Sequence, residues 1–210
     1  MLSFQAFFEA CAGHWATERT YHYLAENEIE RSHTEFQASP LDDLTKQKLL
    51  TTVLSEQAQN DAPHACPGFA IHFDTVSEKG DRVGMSLKAL FVPENLLNAD
   101  LVAGGELPLP VAAATADQDD SIIRGVYLRD EGYSEGGSIA GRFTYQPSRQ
   151  ILEMTTFYRK SVAVDQMRFI SPDTRLRTIV TYHRPITAVP PSEILLVGFG
   201  VEHRQASPVG

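Results

Sequence analysis

The sequence predicts an all-β fold, an antiparallel sandwich or barrel, on three observations. Short strand-like segments recur through the second two-thirds of the chain. Turn residues such as Lys79-Gly80-Asp81 and Ser171-Pro172-Asp173 separate them, and only two stretches have helical character. The strand candidates after the second helical stretch span residues 68–75, 83–92, 121–128, 137–145, 152–159, 164–170, 176–183 and 193–203.

The N-terminal part contributes the remaining elements. Residues 3–12 predict a short amphipathic helix, because Ser3 is a possible N-cap and the apolar side chains follow a helical spacing: Phe4, Phe7, Phe8 and Cys11. Two further strands are expected at 20–24 and 32–37, around a charged turn. A helical insertion is predicted over 41–59, framed by Pro40 and by the break at 60–63.

Composition limits the classes of function. A chain of 210 residues buries a core large enough for one domain, so we expect one domain over 1–210. The formal charge of −9 argues against binding nucleic acid or an anionic membrane. Two cysteines, no secretory signal and no apolar run of membrane-spanning length predict a cytoplasmic protein with reduced thiols.

Most motifs that carry chemistry are missing from the sequence. Its seven histidines include no zinc-protease spacing, and His64-Ala65-Cys66 has no matching second pair, so no metal site is predicted. The sequence has no nucleophile elbow, phosphate-binding loop or dinucleotide fingerprint. The acidic residues near Asp117 and Glu131 are interpreted as solvated turns.

Two local patterns point to ligand binding. Gly13-His14-Trp15 lies between the first helix and the first strand, as at the closed end of small ligand-binding barrels. Arg175 and Arg177 lie on one face of a predicted strand, about 6–7 Å apart. Two guanidiniums at this distance can bind two carboxylates of one ligand, although a charged outer strand face explains the spacing equally well.

Three segments together resemble the S-type phycobiliprotein lyases, the CpcS/CpeS family. The first comprises Phe7-Phe8-Glu9, Gly13-His14-Trp15 and the run Glu18-Arg19-Thr20-Tyr21-His22-Tyr23-Leu24. The second comprises Leu128-Arg129-Asp130-Glu131-Gly132-Tyr133 and Ala140-Gly141-Arg142-Phe143, and the third is the run from Arg168 to Thr178. The resemblance is strong at both ends of the chain and thin from about residue 38 to 120.

The resemblance implies a lipocalin-like or fatty-acid-binding-protein-like up-and-down antiparallel β-barrel with a helix near its N-terminus. It also implies a lyase that binds a linear tetrapyrrole such as phycocyanobilin as transferred substrate, with no tightly bound cofactor. The enzyme joins this bilin by a thioether bond to a cysteine of an apo-phycobiliprotein subunit, so the reacting thiolate belongs to the client. A homodimer or a complex with a paralogous lyase subunit is a further expected partnership.

Candidate site residues follow from the resemblance. Arg175 and Arg177 are predicted to bind the propionates of the bilin, and the remaining binding candidates are Arg19, His22, Tyr158 and Ser171. Asp165 and Glu153 are the candidate catalytic acids. The chain departs from the family pattern where Phe157 replaces a carboxylate and Gln166 replaces an arginine.

These departures keep two alternatives open. One is a non-catalytic barrel that carries a bilin or a fatty acid, and the other is a helper subunit of a paralogous lyase. A long connection over residues 93–120 interrupts the series of predicted strands.

Overall fold

Ten antiparallel strands close into a barrel in the computed structural model, which describes residues 1–50, 62–97, 108–110, 113, 121–130 and 139–206. The barrel rather than the sandwich is therefore the correct form of the predicted all-β fold. The strands are β1 (Gly13–Tyr23), β2 (Glu28–Pro40), β3 (Gly68–Ser77), β4 (Arg82–Pro93), β5 (Ile123–Arg129), β6 (Ile139–Gln146), β7 (Ile151–Phe157), β8 (Ser161–Ser171), β9 (Thr174–His183) and β10 (Ile194–Arg204). The helices are α1 (Phe4–Cys11), α2 (Asp43–Leu50) and α3 (Ala62–Ala65), with a 3₁₀ turn at Glu94–Leu96.

The strand order is that of an up-and-down barrel. Each strand pairs with its neighbours in sequence, and β1 closes the sheet by pairing with β10. Closure leaves no unpaired sheet edge among the described strands. Because side chains alternate across a strand, every second residue points into the barrel. The register of β1, β10 and β9 therefore decides which charged groups meet inside.

Helix α1 packs against one end of the barrel. Ser3 caps it, since the Ser3 hydroxyl oxygen accepts a hydrogen bond from the backbone N–H of Ala6. Phe7 is fully buried, and its ring lies 5.0 Å from the Tyr145 ring and 5.2 Å from the Phe169 ring, measured between centroids. Phe8 lies 4.6 Å from Phe91 in the same cluster. The predicted apolar stripe of α1 is thus the plug of the barrel.

Two outer layers cover parts of the barrel wall. Leu41 and Leu50, at the two ends of the α2 segment, pack with Leu90 and Leu128 on the outside of β4 and β5. On another part of the wall, Ala113 packs on β8 and β9. This second contact gives part of the 93–120 connection a structural role.

Element bounds differ from the predicted ones mainly near the N-terminus. β1 and β2 are longer than predicted, because the charged turn between them is tight and the whole hairpin joins the barrel. The predicted helix over 41–59 corresponds to α2 in its first part, and residues 51–61 lie outside the described residues. The glycines and acids at 131–137 and the aspartates at 117–120 also lie outside them.

None of the helices in the described ranges is long and apolar enough to cross a membrane.

Replacing Phe7 by alanine tests the role of the plug. We expect Phe7→Ala to lower the free energy of unfolding by about 3–5 kcal/mol, because the truncated ring leaves a cavity that the barrel cannot fill. Urea unfolding followed by circular dichroism measures the loss. Leu44→Ala on α2 is the control, since Leu44 is 64% exposed and its truncation leaves no cavity. A Phe7→Ala loss below about 1 kcal/mol would contradict a packed plug.

Candidate functional site

The interior of the barrel holds two adjoining cavities. The first has a volume of about 60 Å³ and lies between the α1 end and the wall formed by β5, β7 and β8. The second has a volume of about 230 Å³ and lies beside β1, β9 and β10. Asp165, Arg177 and Ile179 line both cavities and therefore mark their junction. The walls of both cavities are largely apolar with a few charged groups, as in ligand sites generally.

A bidentate ion pair stands at the junction of the cavities. Nε and Nη2 of Arg177 donate hydrogen bonds to the two carboxylate oxygens of Asp165, at 3.0 Å and 2.5 Å. The two side chains come from neighbouring strands, β9 and β8, and both retain partial exposure, 22% for Arg177 and 16% for Asp165. A guanidinium and a carboxylate are thus both presented to a ligand at one place in the barrel.

A fully buried carboxylate, Glu202, lies behind this pair. Its Oε2 is 2.7 Å from Nη2 of Arg175, and its Oε1 is 3.8 Å from Nη2 of Arg19 and 4.0 Å from Nη1 of Arg177. Arg19 and Arg177 both line the second cavity, whereas Glu202 lines neither cavity. Three guanidiniums therefore surround one carboxylate in the barrel interior: Arg19 and Arg177 line the second cavity, and Arg175 and Arg177 line the first.

Arg175 occupies a different environment from Arg177. Its guanidinium carbon lies 3.9 Å from the centroid of the Trp15 ring, and Arg175 as a whole is 2% exposed. Arg204 also approaches Trp15, at 4.4 Å, and donates hydrogen bonds to the carbonyl oxygens of Ala10 and Ala12 at the end of α1. Stacking and ion pairing together fix Arg175 at the closed end of the barrel.

The first cavity carries a second polar group of side chains, on β5 and around the end of β7. Nη2 of Arg129 donates a hydrogen bond of 2.7 Å to the Tyr158 hydroxyl, and its guanidinium lies 5.9 Å from the ring centroids of both Tyr127 and Tyr158. The Tyr127 hydroxyl is hydrogen-bonded to Thr156. Tyr158 and Arg129 both line this cavity.

Five of the eight predicted site residues line the cavities, namely Arg19, Tyr158, Asp165, Arg175 and Arg177. The prediction that Arg175 and Arg177 share a face is confirmed, since both line the first cavity. They do not act as a matched pair, however, because Glu202 and Trp15 hold Arg175 while Arg177 is bonded to Asp165.

The other three predicted residues lie away from the cavities. His22 is on the outer face of β1, where its ring stacks on Phe199, because it is an odd number of residues from the inward-facing Arg19. Ser171 is exposed at the β8–β9 turn near the closed end. Glu153 is buried on the outer side of β7, and its Oε2 accepts a hydrogen bond of 2.6 Å from Gln166. We therefore correct the placement of these three in a ligand site.

Strand alternation also places the two departures from the family pattern. Phe157 shares the outer face of β7 with Glu153, and Gln166 pairs with Glu153 on that face. Their replacement of a carboxylate and an arginine therefore takes no charged group out of the cavities.

Sequence reasoning missed Glu202 and Arg129. A signal for Glu202 was present, since Gly198, Gly200 and Glu202 occupy alternate positions of a predicted strand, and two glycines on one face leave space for side chains from neighbouring strands. Arg129 lies within the second resembling segment but carried no independent signal.

Neither cysteine is suited to act as a nucleophile. Cys11 lines the first cavity, but burial raises the pKa of its thiol, and the nearby Arg175 offsets only part of this effect. Burial raises the pKa of Cys66 to about 11. At neutral pH both therefore remain thiols rather than reactive thiolates. Over the described residues, no three His, Cys, Asp or Glu side chains converge to hold a metal ion.

Comparisons with known proteins agree on one family. The family model described as "CpeS-like protein" matches residues 3–100 and 110–205. The chain is 39% identical over 201 residues to "Chromophore lyase CpcS/CpeS 1" of Synechococcus sp. (strain JA-3-3Ab), covering 96% of each protein. It is 26% identical over 178 residues to "Chromophore lyase CpcS/CpeS 2" of Synechocystis sp. (strain ATCC 27184 / PCC 6803 / Kazusa), covering 82% of this chain and 77% of that one.

A solved structure supports the fold. The S-type phycobiliprotein lyase CPES from Guillardia theta superposes with a TM-score of 0.66, covering 98% of this chain and 94% of that chain. Its sequence identity is only 17%, so this likeness concerns the architecture of the barrel.

The different environments of Arg175 and Arg177 lead to a prediction. We expect Arg175→Met to lower the free energy of unfolding by about 3–5 kcal/mol, because it leaves the carboxylate of Glu202 buried without its nearest cation. We also expect a change in the emission of Trp15, the only tryptophan of the chain. Arg177→Met is the matched control and should cost less than half as much, since water reaches the remaining carboxylate of Asp165. Equal losses for the two variants would contradict the assignment of a structural role to Arg175 alone.

Proposed function

The chain belongs to the CpeS-like family, and from this membership we propose that it is a chromophore lyase that attaches a bilin to a phycobiliprotein. The bilin is a linear tetrapyrrole of the phycocyanobilin type, and the bond formed is a thioether to a cysteine of the client subunit. The observation that carries the proposal is the barrel cavity with Arg177 and Asp165 at its centre. A bilin offers the complementary groups, since it has propionate carboxylates and pyrrole N–H donors on one conjugated chain.

Arg19 and Arg177 bind a propionate of the bilin in this proposal. Both guanidiniums line the second cavity and come from strands on either side of β10, so one carboxylate between them accepts hydrogen bonds from both. Arg177 is bonded to Asp165 in the structure. Binding of the propionate therefore exchanges one carboxylate partner of Arg177 for another, which keeps the guanidinium paired.

Asp165 then faces the pyrrole nitrogens. A carboxylate accepts hydrogen bonds from pyrrole N–H groups and stabilises the positive charge of a protonated bilin. Tyr158 and Arg129, which line the first cavity, contact another part of the conjugated chain. These contacts supply orientation, which is the main requirement, because bilins react with thiols without a catalyst but with poor control of position and stereochemistry.

The covalent step uses the thiolate of the client. Its sulfur attacks the exocyclic ethylidene carbon of ring A and forms the C–S bond. The electron pair of the double bond moves to the adjacent ring carbon, which takes up a proton, so the addition has no leaving group. The raised pKa of Cys11 and Cys66 supports the assignment of the nucleophile to the client.

A transfer assay tests the proposed function. The protein is mixed with phycocyanobilin and an apo-phycobiliprotein subunit, and the products are examined by absorbance in acid urea and by zinc-induced fluorescence of gel bands. We expect colour to stay covalently on the client, faster and with fewer products than without the protein. Colour that stays non-covalently on this protein would establish the carrier alternative, and a colourless protein would establish the helper alternative.

The same assay tests whether the thiols of this chain take part. The variant Cys11→Ala/Cys66→Ala should transfer the bilin at the wild-type rate, because the reacting thiolate belongs to the client.

Removal of the two cavity arginines tests the propionate contact. We expect Arg19→Met/Arg177→Met to weaken binding of phycocyanobilin by about 10²- to 10⁴-fold, because the two charge-assisted hydrogen bonds contribute about 1.5–3 kcal/mol each. Titration of the bilin absorption band measures the affinity. Arg168→Met is the control, because Arg168 is exposed on the outer face of β8 and its replacement removes a guanidinium that lines neither cavity. Equal affinities of the double variant and the control would exclude the contact.

A further inference from the structure

Glu202 is a buried carboxylate to which the mechanism above gives no role. It is fully buried and lies behind the arginines rather than on the cavity surface. Neither of its oxygens meets hydrogen-bond geometry with any described residue, although Nη2 of Arg175 is 2.7 Å away. A buried charge of this kind is costly unless nearby cations compensate it. Glu202 therefore interacts with the surrounding arginines through ion pairs rather than through well-aligned hydrogen bonds.

The register of three strands brings the arginines to Glu202. Across the β10–β9 ladder Arg175 is opposite Glu202, and Arg177 is opposite Gly200. Across the β10–β1 ladder Arg19 is also opposite Gly200. A Cβ at Gly200 would lie 3.2 Å from Cγ of Arg19 and 2.9 Å from the hydroxyl of Thr17. Glycine at this inward position thus leaves the space in which Arg19 and Arg177 approach the carboxylate.

The three arginines are held with different strength. Arg175 is in direct contact with Glu202 and stacks on Trp15, and these two contacts hold its side chain at the closed end of the barrel. Arg19 and Arg177 lie at 3.8 Å and 4.0 Å from Oε1, within ion-pair range but beyond hydrogen-bond length. Both guanidiniums are attracted toward Glu202, and both line the second cavity.

We propose that Glu202 is a positioning residue of the lyase, which aims the guanidiniums of Arg19 and Arg177 so that they receive one carboxylate of the ligand between them. This inference rests on the proposed function. It adds that one carboxylate of the ligand, and not two, binds between these arginines. Three guanidiniums and the two carboxylates Glu202 and Asp165 leave one net positive charge. One propionate neutralises that charge, so the second propionate binds elsewhere.

The test compares two ligands, phycocyanobilin and its dimethyl ester, which lacks the carboxylates. The quantity measured is the ratio of the dissociation constant of the ester to that of the free acid. We expect Glu202→Gln, which keeps the shape, and Glu202→Asp, which keeps the charge, each to lower this ratio by about tenfold, corresponding to the loss of one charge-assisted hydrogen bond. The affinity for the ester should not change.

The two variants separate positioning from charge. If Glu202 were only a counter-charge that weakens the arginines, Glu202→Gln would raise the ratio and Glu202→Asp would leave it unchanged; either result overturns the proposal. The emission of Trp15 and the circular dichroism spectrum identify variants that fold, and should one variant fail to fold, the other still decides. A wild-type protein that binds neither ligand would instead refute the proposed function.

A double-mutant cycle tests whether Glu202 acts through Arg19. Arg19→Gln alone should lower the ratio. In the Arg19→Gln background, Glu202→Gln should lower the ratio by less than it does in the wild type, because only its effect through Arg177 remains. The two effects are then less than additive. Fully additive effects would show that Glu202 acts independently of Arg19 and would overturn the positioning role.

Discussion

The contact between Trp15 and Arg175 joins the plug helix α1 to the charged interior of the barrel. Trp15 follows helix α1, and its indole N–H donates a hydrogen bond to the carbonyl oxygen of Cys11 at the end of that helix. Arg204, at the end of the last strand, packs on the same ring and binds the last carbonyl groups of α1. The plug, the first strand and the last strand are thus fastened at one point, where a cation also suits the negative end of the helix dipole.

The same contact determines the character of the cavity. Trp15 and Glu202 hold Arg175 at the closed end, so the guanidiniums of this group that line the second cavity are those of Arg19 and Arg177. The protein as a whole carries a formal charge of −9, yet its centre gathers guanidiniums around two carboxylates. A negative exterior around a positive interior favours a small acid that enters the barrel over a polyanion that binds the surface.

The pattern of apolar and turn residues predicts most of the strands of the barrel, but it predicts only some of the residues that line the cavities. Strand alternation is enough to place Arg175 and Arg177 on one face. It also places Arg19 and His22 on opposite faces of β1, because three positions separate them. Alternation does not tell which face is inside, so Glu153 was assigned to the wrong side of β7. The pairing of Arg175 with Glu202 depends on the register across β9 and β10, which is fixed by closure of the barrel and not by neighbouring residues.

The plug at one end also has an electrostatic consequence. The aromatic rings of α1 and of the strands around it fill that end of the barrel. On that side the charged groups of the interior face an apolar layer instead of water, so the attraction between them is screened less than that of an ion pair on the surface.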